Sequence, residues 1–267
     1  MSHLLREHAP ITDASWSLID NEARERLRPA LAARKLIDFA GPHGWEHSAT
    51  NLGRTSALAD APADGVEAAQ RRVLAVVELR APFSLSRAEL ADADRGAEDV
   101  DLATLDEAAH RIATAENRAV FHGWPAAALT GIAEASAHGA RALGEDCQQY
   151  PAHVARAVEA LLRVGIEGPY GLALGPEAYT RVLETTEHGG YPLLSHLRQI
   201  IGGPLVWAPG VQGAVVVSQR GGDFLFDAGE DLSIGYERHD ADTVELYLVE
   251  SFTFRVATPE AAVTLTP

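Results

Sequence analysis

Eleven histidines, a single cysteine and several runs of carboxylates are the side chains of this 267-residue sequence with reactive chemistry to offer. Paired histidines with a carboxylate hold zinc when a helix brings them to one face. His43 and His47 are four apart but flank Gly44 in a turn, and His188 and His196 bracket a Tyr-Pro loop whose nearby carboxylate is Glu187. Neither spacing makes a metal site. Cys147 needs a neighbouring base to act as a nucleophile, and the sequence supplies no obvious one. Asp92, Asp94, Glu98, Asp99 and Asp101 cluster, as do Asp240 and Asp242, without the spacing of a calcium loop, so they read as solvated surface.

Phosphate-binding loops fail as well. Gly189-Gly190, Gly202-Gly203 and Gly221-Gly222 complete neither G-x-G-x-x-G nor a Walker A sequence, and are better turns. No G-x-S-x-G elbow and no H-E-x-x-H helix occurs. The residues therefore predict no catalytic site, no metal and no cofactor.

The elements that would carry such residues read more clearly. Thr12 is a helix N-cap, followed by Trp16, Ile19, Ala23 and Leu27 at helical spacing, with Pro29 an interruption and helix resuming through Arg34. Gly41–Trp45 is turn-rich. From Glu46 to about Arg72 the chain is polar and Ala-rich, which suits an extended arm with no core of its own. Val73–Phe83 predicts one strand. A long helix starts near Thr104, where Thr104 and Glu107 have capping-box spacing, carries Leu105, Ala108, Ile112, Ala115 or Ala119, and Val120 as its stripe, and stops at Gly123.

Beyond Tyr150, helices and strands alternate: helix to Val164, strand Tyr170–Leu174, a helix begun by Pro176, helix Pro192–Ile201, and strands Leu205–Ala208 and Ala214–Ser218. Near the end, Val244, Leu246, Leu248, Phe252, Phe254 and Val256 alternate onto one face of a long strand, with Glu250 the exception. That predicts one buried face and one polar face.

Composition narrows the partners. With 38 acidic against 22 basic residues and a formal charge of −16, nucleic acid is not an expected partner. One cysteine fits a reducing compartment. No apolar run approaches the roughly 20 residues that span a bilayer, and MSHLLREHAP lacks a signal peptide's apolar core, so a cytoplasmic protein without a membrane partner is expected.

The ordered set of segments resembles the encapsulins, shell proteins of the linocin-like family, and is similar in feel to actinobacterial and small-shell members. The segments are LREHAPIT with Trp16, ARKLIDF then GPHGWE, LRAPFSL with Asp94-Arg95-Gly96, VFHGW, GIEGPY, ETTEHGGYPL, RGGDF, and DLSIGYE leading into VESFTF. The resemblance implies an α+β fold, the phage major-capsid fold of the Hong Kong 97 type. It implies a peripheral domain (1–48, 75–130 and 223–267), an E-loop arm (49–74) and an axial domain (131–222), with the spine helix at Thr104–His122. It implies a non-enzymatic subunit of a sixty-copy icosahedral shell that encloses a cargo enzyme through a C-terminal targeting peptide. A dye-decolourising haem peroxidase is the first expectation for that cargo and a ferritin-like iron oxidase the second.

The same resemblance assigns Arg34, Asp38, Leu232 and Ile234 to the cargo-peptide groove, the alternative being that they pack helix against strand. It assigns Glu187, His188, Gly189, Gly190 and Tyr191 to the five-fold pore. Competing readings are a peptidase or bacteriocin, or a phage-derived capsid protein without cargo.

Overall fold

The computed structural model describes residues 3–187 and 189–267. In chain order the helices are α1 (Asp13–Ala30), α2 (Arg87–Asp94), α3 (Ala103–His122), α4 (Ile132–Ala135), α5 (Tyr150–Arg163), α6 (Pro176–Glu184) and α7 (Leu193–Ile201). The strands are β1 (Asp38–Ala40), β2 (Ala49–Leu58), β3 (Ala68–Ala75), β4 (Val77–Ser86), β5 (Arg141–Ala142), β6 (Tyr170–Leu174), β7 (Gly202–Trp207), β8 (Ala214–Ser218), β9 (Phe224–Ala228), β10 (Ser233–His239), β11 (Thr243–Val256) and β12 (Ala262–Thr266).

Two sheets and one hairpin result. The first sheet runs β1-β9-β11-β10, with β4 also paired to β11; the second runs β5-β12-β8-β6-β7; β2 and β3 pair only with each other. Each sheet has its own apolar core. Trp16, Ile19, Ala23 and Leu27 of α1 and Leu105, Ala108 and Ile112 of α3 pack on Val244, Leu246, Leu248 and Ile234. The second core gathers Val154 and Leu161 of α5, Leu193 and Leu197 of α7, and the wholly apolar β6 and β8.

Two elements serve both cores. Helix α3 gives Leu105 to Ala113 to the first and Ala119 to Phe121 to the second. Strand β11 gives Val244, Leu246 and Leu248 to the first, and Phe252 and Phe254 to the second. Between those runs lie Glu116, Asn117 and Glu250, all buried. The chain after α1 makes the same crossing, with Ala30 in the first core and Ala32, Ala33 and Leu36 in the second.

Several expectations are met in detail. Thr12 caps α1, its hydroxyl accepting from the Ser15 amide at 3.1 Å. Pro29 falls in the last turn, so the helix ends at Ala30 and continues only as a 3₁₀ turn over Ala33–Lys35. The predicted arm is the β2–β3 hairpin, largely exposed along both strands. Gly123 closes α3 at φ +86°, a conformation open to glycine.

Three expectations are corrected. Val73–Phe83 is not one strand: it breaks at Val76, where β3 leaves the hairpin and β4 enters the first sheet beside β11. The break does not show in the residue types, because apolar residues run across it while the pairing partner changes from β2 to β11. The Thr104–Glu107 capping box does not form. Helix α3 starts at Ala103, whose amide is taken by the Asp101 carboxylate at 3.0 Å, while the Thr104 hydroxyl donates to the Ser84 carbonyl at 2.6 Å. Finally, β11 is buried on both faces over most of its length, Ser251 and Thr253 included, because it is an inner strand covered from two sides.

Sheet membership also departs from the boundary at residue 223. Strand β12, within 223–267, pairs with β8 and β5 in the second sheet rather than returning to the first.

Candidate functional site

A groove of about 440 Å³ opens where α1 crosses the start of β10. Ala23, Leu27 and Leu31 form one wall, Leu232 and Ile234 the other, with Leu248 between them. These apolar side chains converge because α1 turns its buried stripe toward the sheet while its next residues along the surface stay accessible.

The segment before α1 closes one side of the groove. The Leu4 carbonyl accepts from the Tyr236 amide at 2.9 Å, extending the edge of β10. Arg6 pairs with Asp20 at 2.8 Å and lies 3.9 Å above the Trp16 ring. His3 reaches Glu230 at 2.7 Å and stacks on Trp45 at 4.6 Å.

Arg34 stands at the inner end. Its Nε donates to Glu116 at 2.6 Å, Nη1 to Asp231 at 2.5 Å and Nη2 to Glu250 at 2.7 Å. The guanidinium also sits 5.0 Å from the Phe39 ring and 5.5 Å from the Phe226 ring. Burial alone would lower the Arg34 pKa, but Glu116, Glu250 and Asp231 outweigh it and hold the pKa above the ordinary arginine value. Burial raises Glu116 above the usual carboxylate range, against the pull of Arg34. Glu250 is pushed well above it, by burial first and then by repulsion from Glu116.

Beside this cluster, Asn117 ties the seam together. Its Oδ1 accepts from the amides of Ala32 and Ala33 at 3.1 and 3.0 Å, and its Nδ2 donates to the carbonyls of Ala30 and Pro209 at 2.8 and 3.0 Å.

The residues assigned to a groove are thus partly gathered. Arg34, Leu232 and Ile234 line one cavity. Asp38 does not: it borders a separate, smaller hollow with Ser218 and Phe224, and its carboxylate accepts from the Gly222 amide at 2.6 Å. Of the loop residues, the Glu187 carboxylate lies 2.8 Å from His196 Nδ1, and the Glu187 backbone amide donates to the Tyr191 carbonyl at 2.8 Å. Gly189 and Gly190 turn the chain at φ +104° and +81°, and the Tyr191 hydroxyl accepts from Gln199. His188 lies outside the described residues.

The sequence alone assigns no site role to Glu116, Asn117, Asp231 or Glu250. Glu250 had a signal, since it interrupts an otherwise apolar face. Glu116 had one too, four residues from Ile112 and four from Val120, and so on the buried stripe.

The arrangement combines apolar walls with a buried ion cluster. Arg34 is saturated by three carboxylates, and Glu116 and Glu250 are sealed from any substrate. His43 and His47 pack ring to ring at 4.7 Å, and among the described residues no group of three His, Cys, Asp or Glu side chains is placed to hold a metal ion.

Comparisons agree with this architecture. The family described as "Encapsulating protein for peroxidase" matches residues 1–253. A Type 1 encapsulin shell protein of Rhodospirillum rubrum is 51% identical, over 99% of this chain and 96% of its own length. One of Mycolicibacterium paratuberculosis is 43% identical over the full length of both. Among solved structures, the virus-like particle of Pyrococcus furiosus superposes with a TM-score of 0.64 at 16% identity, covering 94% of this chain and 98% of that one. The structure of Microbacterium phage Oxtober96 superposes with a TM-score of 0.57 at 12% identity, covering 89% and 91%. The fold is therefore α+β, of the phage major-capsid type.

Proposed function

Because the chain belongs to the Type 1 encapsulin shell-protein family, we propose that it assembles with copies of itself into a closed shell around a cargo enzyme. The chemistry belongs to that cargo. The observation that carries this reading is the β2–β3 arm, which leaves Leu58, Val66 and Val73 about half exposed and buries no core of its own. A neighbouring subunit gives those side chains a surface to cover. Identical chains in head-to-tail contact must close by symmetry or grow without limit.

In this reading residues 49–74 are the E-loop arm, 131–222 the axial domain with β12 added to its sheet, and the remainder the peripheral domain. Sixty copies close the smallest icosahedral shell. A cargo's C-terminal targeting peptide lies in the groove against Leu232 and Ile234 with Arg34 at its end, an apolar site that orders an extended segment. Asp38 serves the Gly221-Gly222 turn instead. Glu187 to Tyr191, with His188 among them, surround the five-fold pore. A peroxidase is the cargo class that fits the family's description, with a ferritin-like protein second. The acidic surface makes nucleic acid an unfavourable content, and the assembled compartment is expected in the cytoplasm.

The test is to express the chain alone and examine it by negative-stain microscopy and native mass measurement. Uniform hollow particles of sixty times 28.5 kDa are expected. A monomer or dimer at micromolar concentration would refute the proposal.

A further inference from the structure

Arg34 is one cation facing three carboxylates, two of them sealed from water. Glu116 and Glu250 each give Oε2 to the guanidinium. The second oxygen of each, Oε1, is buried without a donor from any other side chain or amide. Both carboxylates bond the same guanidinium, through its Nε and Nη2, so they stand side by side against it. Two ionised carboxylates cannot bond, since both only accept; with one proton between them they can.

We propose that Glu116 and Glu250 share a single proton as an acid–carboxylate pair, and that this proton makes the seam between the two cores a latch sensitive to alkali. The charge count supports it. Three ionised carboxylates would leave two negative charges uncompensated against one guanidinium, and buried charge is retained only when paired. One shared proton leaves a single excess charge, carried by Asp231, whose side chain is half exposed. Both buried carboxyls are also raised above their ordinary range by burial, with mutual repulsion adding to Glu250.

No second cation relieves the pair among the described residues. On the turn before β10, Glu230 is engaged by His3. On the 3₁₀ turn, the Lys35 ammonium donates to the Pro29 carbonyl. On α1, Arg24 and Arg28 face the groove, and Arg6 is paired with Asp20. On β4, Glu78 and Arg80 stand opposite Ser251 and Val249, and Arg80 is paired with Glu237. On β11 the charged residues on either side of Glu250 are Glu245 and Arg255, and on α3 Arg118 is exposed.

The direction of the pH effect follows. A glutamate in the unfolded chain ionises near 4.3, whereas burial raises the folded pair above that. Folding therefore takes up a proton. The contribution is full in acid, below the unfolded value, and is lost as pH rises toward the folded value. Over that window the unfolding equilibrium shifts about tenfold per pH unit toward the unfolded side. Because Arg34, Glu116 and Glu250 come from three separate elements, losing the proton loosens the junction of all three.

Infrared difference spectra of the full-length chain in its native assembly, in D₂O at pH 7, read the proton directly. The wild type should show a carboxylic-acid carbonyl stretch that is absent from both Glu116→Gln and Glu250→Gln, since either amide supplies the missing donor. Absence of that band from the wild type overturns the proposal without any variant needing to fold. Melting temperatures between pH 6 and 9 should fall more steeply for the wild type than for Glu250→Gln; equal slopes overturn the latch.

Discussion

Replacing Asn117 by alanine removes four hydrogen bonds from a place that water does not reach. The side chain is wholly buried on α3, at the level where that helix passes from one core to the other. Three of its four partners, the Ala30 carbonyl and the Ala32 and Ala33 amides, lie at or just past the end of α1, where backbone groups lack intrahelical partners. The Ala32 amide and Ala30 carbonyl also bond to each other at 2.9 Å, so the substitution leaves them half served. The Ala33 amide and the Pro209 carbonyl depend on Asn117.

Each buried group left without a partner costs about 1–3 kcal/mol. Two of them, with the void left by the carboxamide, give a loss of about 4 kcal/mol. At about 2 °C per kcal/mol for a chain of this length, the melting temperature should drop by roughly 8 °C. Asn117→Asp should do no better at neutral pH, since it faces two carbonyls with an acceptor and adds a buried charge. Intrinsic tryptophan fluorescence against temperature, on assembled and cargo-free material at equal concentration, measures the change. Arg118→Ala, at the exposed next position, is the control. An Asn117→Ala melting temperature within about 2 °C of wild type would show that the seam does not depend on this side chain.

Three further outcomes test other parts of the molecule. Leu232→Asp puts a charge in the groove's apolar wall; with about 2 kcal/mol of burial lost, cargo captured on co-expression should fall at least about tenfold while particles still form. Unchanged loading would move the peptide elsewhere. Serine at Leu58, Val66 and Val73 together should leave each chain folded, because none of the three belongs to a core, but shift size-exclusion elution from particles to small species. His122 accepts from the Gln212 amide at 3.3 Å, and burial, then Arg118, lower its pKa below the ordinary value. The folded state thus binds this proton less readily than the unfolded one. Its contribution is complete above about pH 6.5 and is lost as pH falls toward the folded value, so His122→Gln should show a shallower drop in melting temperature between pH 7 and 5.

What the sequence made legible was what its own neighbours decide. The Thr12 cap and the α1 stripe need only residues within a turn or two, and strands β6 and β8 are apolar at every position. What it hid depends on distant partners. Thr104 looks like a cap until the Ser84 carbonyl, twenty residues earlier in the chain, claims its hydroxyl. Val76 looks like mid-strand because nothing local says that β3 will pair with β2 and β4 with β11. Resemblance grouped Arg34, Asp38, Leu232 and Ile234; the fold gathers Arg34, Leu232 and Ile234 around one cavity and sets Asp38, four residues beyond Arg34, at another hollow.

The polar seam explains why groove and fold share residues. Apolar side chains alone would fuse the two cores into one, with nothing to fix how α3 and β11 pass between them, because dispersion contacts are non-directional. Arg34, Glu116, Glu250 and Asn117 bond in specific directions and so set that passage. Arg34 and Asp231 are also where the groove ends. The groove's two long walls come from the first core, whereas its end is held by a turn whose Ala32 and Ala33 belong to the second.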